Sequence, residues 1–379
     1  MASKLVNVRT LDQLAKVMPA PADADRDAMQ AVLDQFPVRI TRHLLDLMQR
    51  SPAVAAQFLP DTREVTTLGQ DKCFSGLLEL DVPGLERMYP DRVIIMPHHA
   101  CPAYCRFCFR KFYEHHSGST MSYDDLDRAL GYVAARPEIR EVLITGGEPV
   151  MEPKRLRHLL AGLRRIAHVG PIRLACRSLI MAPELCDDAL LEMLAAHQDL
   201  AAGKPLEVAL HANHPDEITA PTIERLVALR QRGIHVYNQT VLLRGINDDA
   251  EILRALFEAL RRYGVETYYM FLGGPVRGMD HQRPTIADGL ALKRALRRHA
   301  SGRANPHFIV TTRLGKVEIG VDGEIVAREA DGRHVWIRTP YTLAGFRAVS
   351  PRFELPDDAR LDDAGYIVMR YLDGPSEES

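Results

Sequence analysis

The chain has 379 residues, of which 46% are hydrophobic and 26% charged, and its formal net charge is −2. These values are ordinary for a globular protein of one large domain or two, and they provide no global field that would draw the chain to nucleic acid or to a membrane surface. The N-terminal segment lacks the apolar core of a secretory signal, and no window approaches the roughly 18 apolar residues of a bilayer span, so we expect neither.

The first 60 residues have helical patterns. From residue 92 onward, short apolar runs recur that have the length of buried strands and are rich in β-branched or aromatic residues. These predicted strands cover residues 92–97, 141–147, 172–177, 206–211, 235–243 and 266–272.

Helical patterns fill the segments between these strands. The segment from 122 to 137 opens with Ser122 and Asp125 in the spacing of a capping box, and Gly233 stands where a helix C-terminus favours glycine. Six strand–helix units in a row predict a parallel sheet with crossover helices, which we interpret as an α/β fold with a partial (β/α)6 TIM-like barrel.

The pattern changes near residue 306 to short strands with Asp-Gly turns at 322–323 and 331–332. We therefore divide the chain into an N-terminal helical extension (1–85), the barrel (86–300) and a C-terminal β-rich extension with a disordered tail (301–379).

Three of the six cysteines follow the first barrel strand in the stretch CPAYCRFCFRKFYEHH, with CxxxCxxC spacing at Cys101, Cys105 and Cys108. Three thiolates could hold a [4Fe–4S] cluster and leave its fourth iron open. The alternatives are a zinc site completed by His115 or His116, or three unrelated thiols. Since the other cysteines (Cys73, Cys176, Cys186) are scattered, a disulfide framework is not expected, and a reducing cytoplasm fits.

This spacing, with the aromatic Phe107 before the last cysteine, resembles the radical SAM superfamily. The resemblance implies a partial barrel of the radical SAM type, in which S-adenosylmethionine chelates the open iron. It also implies that one electron from the cluster cleaves this cofactor to methionine and a 5′-deoxyadenosyl radical, which abstracts hydrogen from the substrate. The GGEP stretch matches the superfamily's glycine-rich strand end, so Gly146, Gly147 and Glu148 are expected near the methionine amino group. Alone, two glycines after a strand usually mark a turn.

Seven colinear segments between about residues 30 and 320 resemble the lysine 2,3-aminomutase family, among them YPDRV at 89–93, HANHPDEIT at 211–219 and NQTVLLRGIND at 238–248. By that resemblance His211 and Gln239 help to hold S-adenosylmethionine, and Arg110 binds the substrate carboxylate, for which a guanidinium fork is suited. The alternatives are a surface salt bridge for Arg110 and a buried, backbone-bonded histidine for His211.

The family's aminomutases also carry pyridoxal 5′-phosphate on a lysine in the C-terminal region. The matching residue is Lys316 in RLGKVEIG, with Arg92 retained near the cofactor, although an exposed strand lysine would look the same. Two departures from the family pattern are visible: a single glycine, Gly315, precedes the lysine, and Met88 stands where the family has an arginine.

The family's lysine-specific members use two aspartates to bind the distal ammonium, and the matching positions are Gly274 and Thr311. We therefore expect a small amino-acid-like substrate other than lysine, with Arg277 and Arg313 nearby in sequence. The expected reaction is a 1,2-amino shift of the 2,3-aminomutase type. The alternative is a reaction without pyridoxal phosphate, such as epimerisation, dehydrogenation or another rearrangement. The expected partners are an electron donor such as flavodoxin or ferredoxin and a second copy of the chain.

Overall fold

The computed structural model describes residues 5–18, 25–71, 80, 82–112 and 120–375. Cys73, His115, His116 and the last four residues of the predicted disordered tail lie outside the described residues.

The strands, in chain order, are β1 (Leu5–Val8), β2 (Val38–Thr41), β3 (Leu85–Tyr89), β4 (Arg92–Ile95), β5 (Glu141–Ile144), β6 (Ile172–Cys176), β7 (Leu206–Leu210), β8 (His235–Leu242), β9 (Glu266–Leu272), β10 (His307–Thr312), β11 (Gly315–Val317), β12 (Glu324–Arg328), β13 (His334–Thr342), β14 (Ala359–Leu361) and β15 (Tyr366–Leu372). The helices are α1 (Leu11–Ala15), α2 (Arg26–Gln35), α3 (Arg42–Met48), α4 (Pro52–Ala55), α5 (Tyr123–Ala134), α6 (Pro153–Arg165), α7 (Ser178–Met181), α8 (Asp188–Ala195), α9 (Ala220–Gln231), α10 (Ala250–Arg262), α11 (Ile286–His299) and α12 (Leu343–Val349).

A large sheet holds the six predicted strands, β4 to β9, in chain order and with parallel pairing. One more parallel strand, β10, follows α11 and pairs with β9 from His307 opposite Tyr269. The sequence pattern places this strand in the C-terminal extension, because HFIVTT resembles the short strands after it. Antiparallel β3 and β11 flank the parallel strands, so the described part of this sheet has nine strands.

The two edges of the large sheet meet through tyrosine hydroxyls. The backbone N–H of Lys316 on β11 donates to the Tyr89 hydroxyl on β3 at 3.2 Å, and Tyr341 donates to the Lys316 carbonyl at 2.5 Å. Since the strands on both edges are connected in this way, the sheet curls into a nearly closed barrel.

Alternation along the parallel strands separates the two faces of the barrel. The outward residues pack in one core with the crossover helices, as Val142, Leu174 and Leu272 do. Helix α5 begins at the predicted capping box of Ser122 and Asp125 and buries Leu126, Ala129, Leu130 and Val133 against this core. The inward residues are more polar and include Arg173 on β6 and Gln239 on β8. Polar side chains of this kind suit a ligand-binding interior better than a packed apolar core.

The N-terminal helices α1 to α4 agree with the predicted helical extension, and an antiparallel pair, β1 with β2, accompanies them. This unit packs against the cysteine loop, since Ala103 and Cys105 join its apolar core. The C-terminal sheet, in the order β12-β13-β15-β14, packs with α12 around Phe346 and Phe353, and Met88 joins this cluster. Within the described residues, none of the helices is long and apolar enough to cross a membrane.

Candidate active site

The three clustered cysteines lie in the loop that follows β4, at the end of the barrel where the parallel strands finish. All three cysteines are partly buried, and desolvation raises the pKa of the Cys105 thiol to about 11. In the described residues, three potential ligand atoms lie within 4.8 Å of one another at Glu329, Asp331 and His334, and the three sulfurs form no such set. A mononuclear zinc site needs closer sulfurs than this, because each Zn–S bond is only about 2.3 Å long.

A buried charge cluster anchors the cysteine loop to the N-terminal unit. Glu64 accepts hydrogen bonds from Arg106 at 2.6 Å and from Lys111 at 2.7 Å, and all three side chains are at most 4% exposed. Arg106 also donates to the Phe36 carbonyl, and Lys111 to the Gly278 carbonyl. The two cations keep the pKa of Glu64 below its ordinary value against the opposing effect of burial.

Arg110 lies between these anchors with a different environment. Its side chain is 8% exposed and its guanidinium stacks 4.5 Å from the ring centroid of Phe109. Its Nε is buried without a hydrogen-bond partner within the described structure. A buried guanidinium of this kind can accept an anionic ligand without first breaking an ion pair.

Arg177, at the end of β6, was missed by the sequence analysis. Its guanidinium donates to the sulfur of Cys105 at 3.0 Å, to Gln57 at 2.8 Å and to Glu217 at 3.0 Å. The only sequence signal was its position at the end of the predicted strand 172–177, which is where parallel folds place functional residues.

The GGEP stretch brings the end of β5 against the start of the cysteine loop. A Cβ on Gly147 would lie 2.2 Å from the Ala100 carbonyl, and Gly146 has φ +115°, so both positions require glycine. Gly147 N–H donates to the His98 carbonyl and Glu148 N–H to the Ala100 carbonyl. These N–H groups therefore hold the loop in this structure. A methionine amino group is a donor and would contact backbone carbonyls instead, so the expected contact at this strand end stays a prediction.

The Glu148 carboxylate remains available in part. Its Oε2 accepts the backbone N–H groups of Arg177 and Ser178 at 2.8 and 2.9 Å, whereas its Oε1 is buried without a partner within the described structure. Burial raises the pKa of Glu148 to about 7. This unpartnered oxygen could accept a hydrogen bond from a bound ammonium group.

His211 and Gln239 lie side by side, because Leu210 on β7 pairs with Asn238 on β8. The His211 ring contacts Phe107 of the cysteine loop edge-on at 5.5 Å, and its Nε2 is 3.2 Å from the side-chain oxygen of Asn213. Burial holds the pKa of His211 well below its ordinary value, so the ring is neutral and can accept or donate one hydrogen bond. The alternative of a backbone-bonded histidine is not the arrangement found.

Lys316 lies in the barrel interior, not on an exposed strand. Its amine is 4.5 Å from the Tyr269 ring centroid and 5.3 Å from that of Phe271, on the face of β9 opposite the helix-side core. Burial, together with the positive charges of Arg173 and Arg92, lowers the pKa of Lys316 to about 7.

The YPDR segment meets Lys316 through Tyr89, and Arg92 stacks 4.7 Å from the Tyr89 ring centroid. Arg87 does not replace the arginine that is missing at Met88. Its guanidinium instead bonds the Pro90 carbonyl and Glu138.

The two arginines expected near the distal end of the substrate, Arg277 and Arg313, both form ion pairs. Thr311 lies opposite Lys316 in the β10–β11 pair and shares its face. Arg277 is paired with Asp71 at 2.7 Å, and Arg313 is paired with Asp358. Both arginines are therefore already neutralised, which weakens the suggestion from sequence that they suit a distal carboxylate.

Comparisons with known proteins agree with this arrangement. Residues 95–256 match the family model described as the radical SAM superfamily. An L-lysine 2,3-aminomutase of Bacillus subtilis (strain 168) is 32% identical over 360 residues, covering 93% of this chain and 73% of the relative. An L-lysine 2,3-aminomutase of Clostridium subterminale is 30% identical over 311 residues, covering 80% of this chain and 73% of the relative.

A glutamate 2,3-aminomutase of Clostridioides difficile (strain 630) is 34% identical over 232 residues, covering 61% of this chain and 54% of the relative. The two L-lysine 2,3-aminomutases match 93% and 80% of this chain, which is more than its barrel segment alone. The chain belongs to the lysine 2,3-aminomutase family of the radical SAM superfamily and is a radical SAM enzyme of the aminomutase type.

Proposed function

We propose that this enzyme moves the amino group of a small α-amino acid other than lysine from carbon 2 to carbon 3, with pyridoxal 5′-phosphate held at Lys316. The observation that carries the proposal is the Lys316 amine in the barrel interior, 4.5 Å from the Tyr269 ring centroid, where desolvation and neighbouring positive charges lower its pKa to about 7. An amine that is half neutral near pH 7 can react with an aldehyde, whereas an ordinary surface lysine is almost wholly protonated.

The cluster and S-adenosylmethionine follow from membership of the radical SAM superfamily. Cys101, Cys105 and Cys108 would bind the cluster, since their loop is anchored on both sides and their spacing is that of the radical SAM superfamily to which the chain belongs. When bound, the cluster and S-adenosylmethionine supply a carbon-centred radical able to abstract hydrogen. The electron for this chemistry would come from an external donor such as a flavodoxin or a ferredoxin.

The residues around the loop fit S-adenosylmethionine in charge and hydrogen bonding. The free Oε1 of Glu148 would accept the amino group of the methionine part. His211, neutral and adjacent to Phe107, and the neighbouring Gln239 would hold the rest of the molecule.

The surroundings of Lys316 fit pyridoxal phosphate. The positive charges of Arg92 and Arg173 both lower the pKa of the amine, so they act on the space where a phosphate would lie. Arg92 is paired with Asp91 and Arg173 with Glu141, so a phosphate would share these cations with the two carboxylates. Aromatic rings of Tyr269 and Phe271 offer flat surfaces for a pyridine ring. The chain's own part is to keep water out, to hold the Lys316 amine neutral and to orient the cofactor.

Arg110 would bind the α-carboxylate of the substrate, since it is buried and has no ion pair among the described residues. The proposal of a substrate other than lysine is supported by Gly274 and Thr311. Neither side chain provides a carboxylate, and an ammonium group buried without one would be destabilised by several kcal/mol.

The test is product formation from a panel of α-amino acids by reconstituted enzyme with S-adenosylmethionine, reductant and pyridoxal phosphate. We expect a β-amino acid from an amino acid other than lysine. With Lys316→Ala we expect loss of this product and of the cofactor's visible absorbance, while S-adenosylmethionine cleavage persists. Efficient formation of β-lysine would disprove the substrate part, and full turnover by Lys316→Ala would favour the alternative reaction without pyridoxal phosphate.

A further inference from the structure

Arg177 connects the cysteine loop to three other parts of the fold. It is 7% exposed, and one nitrogen of its guanidinium donates to the Cys105 sulfur at 3.0 Å. The other terminal nitrogen donates to Gln57 from the N-terminal unit and to Glu217 from the loop after β7. The orientation of the guanidinium is therefore fixed from the side opposite the sulfur.

Aromatic rings pack against the same guanidinium. Its central carbon lies 4.7 Å from the ring centroid of Phe107, between two of the cysteines, and 5.3 Å from that of Phe58. These rings exclude water from the Arg177–Cys105 contact, and a charge interacts more strongly where water is excluded. The geometry is that of a rigid hydrogen-bond donor directed at one sulfur.

The charge balance around Arg177 distinguishes it from Arg106 and Lys111, two cations of the cysteine loop. Arg106 and Lys111 direct their donors to Glu64 and to backbone carbonyls. Among the described residues, Arg177 has one carboxylate partner, Glu217, which is bonded to one terminal nitrogen of the guanidinium. The other terminal nitrogen donates to the Cys105 sulfur. Glu217 moderates the positive charge but does not replace the hydrogen bond.

We propose that Arg177 is a positioning residue that raises the reduction potential of the iron–sulfur cluster through its hydrogen bond to Cys105. The proposal rests on the cluster assignment made under Proposed function. One electron from a flavodoxin, a ferredoxin or dithionite converts the oxidised cluster [4Fe–4S]2+ to [4Fe–4S]1+, which increases the negative charge on the cluster and its thiolates. A fixed cation and donor stabilise that reduced state more than the oxidised state, since hydrogen bonds to the sulfurs and local charge set cluster potentials.

The side chain can be changed without removing the other contact that this residue makes. The backbone N–H of Arg177, not its guanidinium, donates to Glu148. Arg177→Met keeps a long stem that can fill the space between Phe58 and Phe107, and it removes both the charge and the donors.

The experiment is a redox titration of the reconstituted enzyme without S-adenosylmethionine, followed by the electron paramagnetic resonance signal of the reduced cluster. For Arg177→Met we expect the ratio of reduced to oxidised cluster at a fixed potential to fall about tenfold, which is a shift of about 59 mV to lower potential. Arg164→Met is the matched control. Arg164 donates to the carbonyls of Gly170 and Pro205, at the opposite end of β6 and β7, and its loss should leave the potential unchanged.

Glu217→Gln is a second variant with the opposite expected sign. It removes the negative charge 3.0 Å from the guanidinium, so the cluster should become easier to reduce. If Arg177→Met does not fold, the reduction potential of Glu217→Gln tests the proposal in its place. A rise in potential supports the proposal, and an unchanged potential overturns it.

An unchanged potential in a folded Arg177→Met enzyme that still holds its cluster would also overturn the proposal, and would leave the proposed function intact. Failure of the cluster assignment gives a different result. In that case the triple variant Cys101→Ala, Cys105→Ala, Cys108→Ala would retain its iron and sulfide.

Discussion

Lys316 and Arg110 are two cations that the fold keeps largely out of water, and among the residues that the structure describes neither forms the ion pair that usually accompanies a buried cation. The amine of Lys316 faces aromatic rings, and Arg110 faces Phe109 with a buried, unpartnered Nε. A cation held out of water without an anionic partner lowers the stability of the fold. Such cations are therefore expected where a bound ligand supplies the anion or accepts the proton.

For Lys316 we expect a pH dependence set by its lowered pKa. The folded protein should release this proton near pH 7, whereas the unfolded chain keeps it up to about pH 10.5. The unfolded state therefore binds more protons between these values, and this group's contribution to stability rises with pH in that window.

The measurement is trapping of pyridoxal phosphate on each lysine with borohydride, quantified by mass spectrometry against pH. Trapping at Lys316 should increase through about pH 7 and then level off. The exposed Lys154 on α6 serves as the internal reference for general amine reactivity. A Lys316 profile that is still rising steeply at pH 9 would contradict the neutral buried amine.

For Arg110→Ala we expect weaker substrate use with S-adenosylmethionine cleavage largely retained. A bidentate contact to a charged group contributes about 1.5–3 kcal/mol, so productive turnover at low substrate should fall roughly tenfold to a hundredfold. Deoxyadenosine release without substrate is measured in parallel, because it does not need the carboxylate. Arg277→Ala is the comparison, since Arg277 is already paired with Asp71 and should change turnover less. Equal losses in both assays would place Arg110 in cluster binding instead.

At the scale of elements, the cysteine loop has no regular structure of its own and depends on its anchors. Glu64 joins it to the N-terminal unit through Arg106 and Lys111, and the glycines of GGEP allow the end of β5 to pack against its start. The loop has two turn-type backbone hydrogen bonds of its own, from Cys108 N–H to the Cys105 carbonyl and from Lys111 N–H to the Cys108 carbonyl, and the elements on each side of it hold it in place.

Glu64→Gln tests this anchoring. It keeps the size of the side chain but leaves two buried cations without their carboxylate, so the free energy of unfolding should fall by about 3–5 kcal/mol and the cluster should be lost more readily. Urea titration and iron release kinetics measure these effects. The exposed pair of Glu251 and Arg254 gives the control, since Glu251→Gln should cost about 0.5 kcal/mol or less. A Glu64→Gln protein as stable as the control would show that the loop is held by its apolar contacts.

At the scale of the whole molecule, the barrel is completed by tyrosines and not by a continuous ladder of strands. Tyr89 from the first edge bonds the backbone of Lys316 on the last edge, and Tyr341 from the C-terminal sheet bonds the same residue. The C-terminal unit thus helps to position the lysine that we assign to the cofactor.

Tyr89→Phe should leave the Lys316 N–H without its acceptor. We expect the free energy of unfolding to fall by about 1–3 kcal/mol and the affinity for pyridoxal phosphate to fall with it. Tyr123→Phe, at an exposed position on α5, should change stability by about 0.5 kcal/mol or less. Unchanged cofactor affinity in Tyr89→Phe would mean that the closure of the barrel does not position Lys316.

Local patterns in the sequence were sufficient for the parallel strands β4 to β9, for the capping box of α5 and for the location of the cysteine loop. Strand and helix periodicities, turn residues and the CxxxCxxC spacing are all short-range signals, so they can be identified without a structure. The same holds for membership of the family, because colinear motifs survive in a chain about 30% identical to its relatives.

The tertiary structure alone decided which residues meet. Arg177 and Cys105 are separated by 72 positions, Arg106 and Glu64 by 42, and Lys316 and Tyr89 by 227. No periodicity links such distant residues, and an arginine that bonds a sulfur looks the same in sequence as one on the surface. Burial likewise separated the interior Lys316 from an exposed strand lysine, because the water excluded from an amine depends on all the elements that close around it.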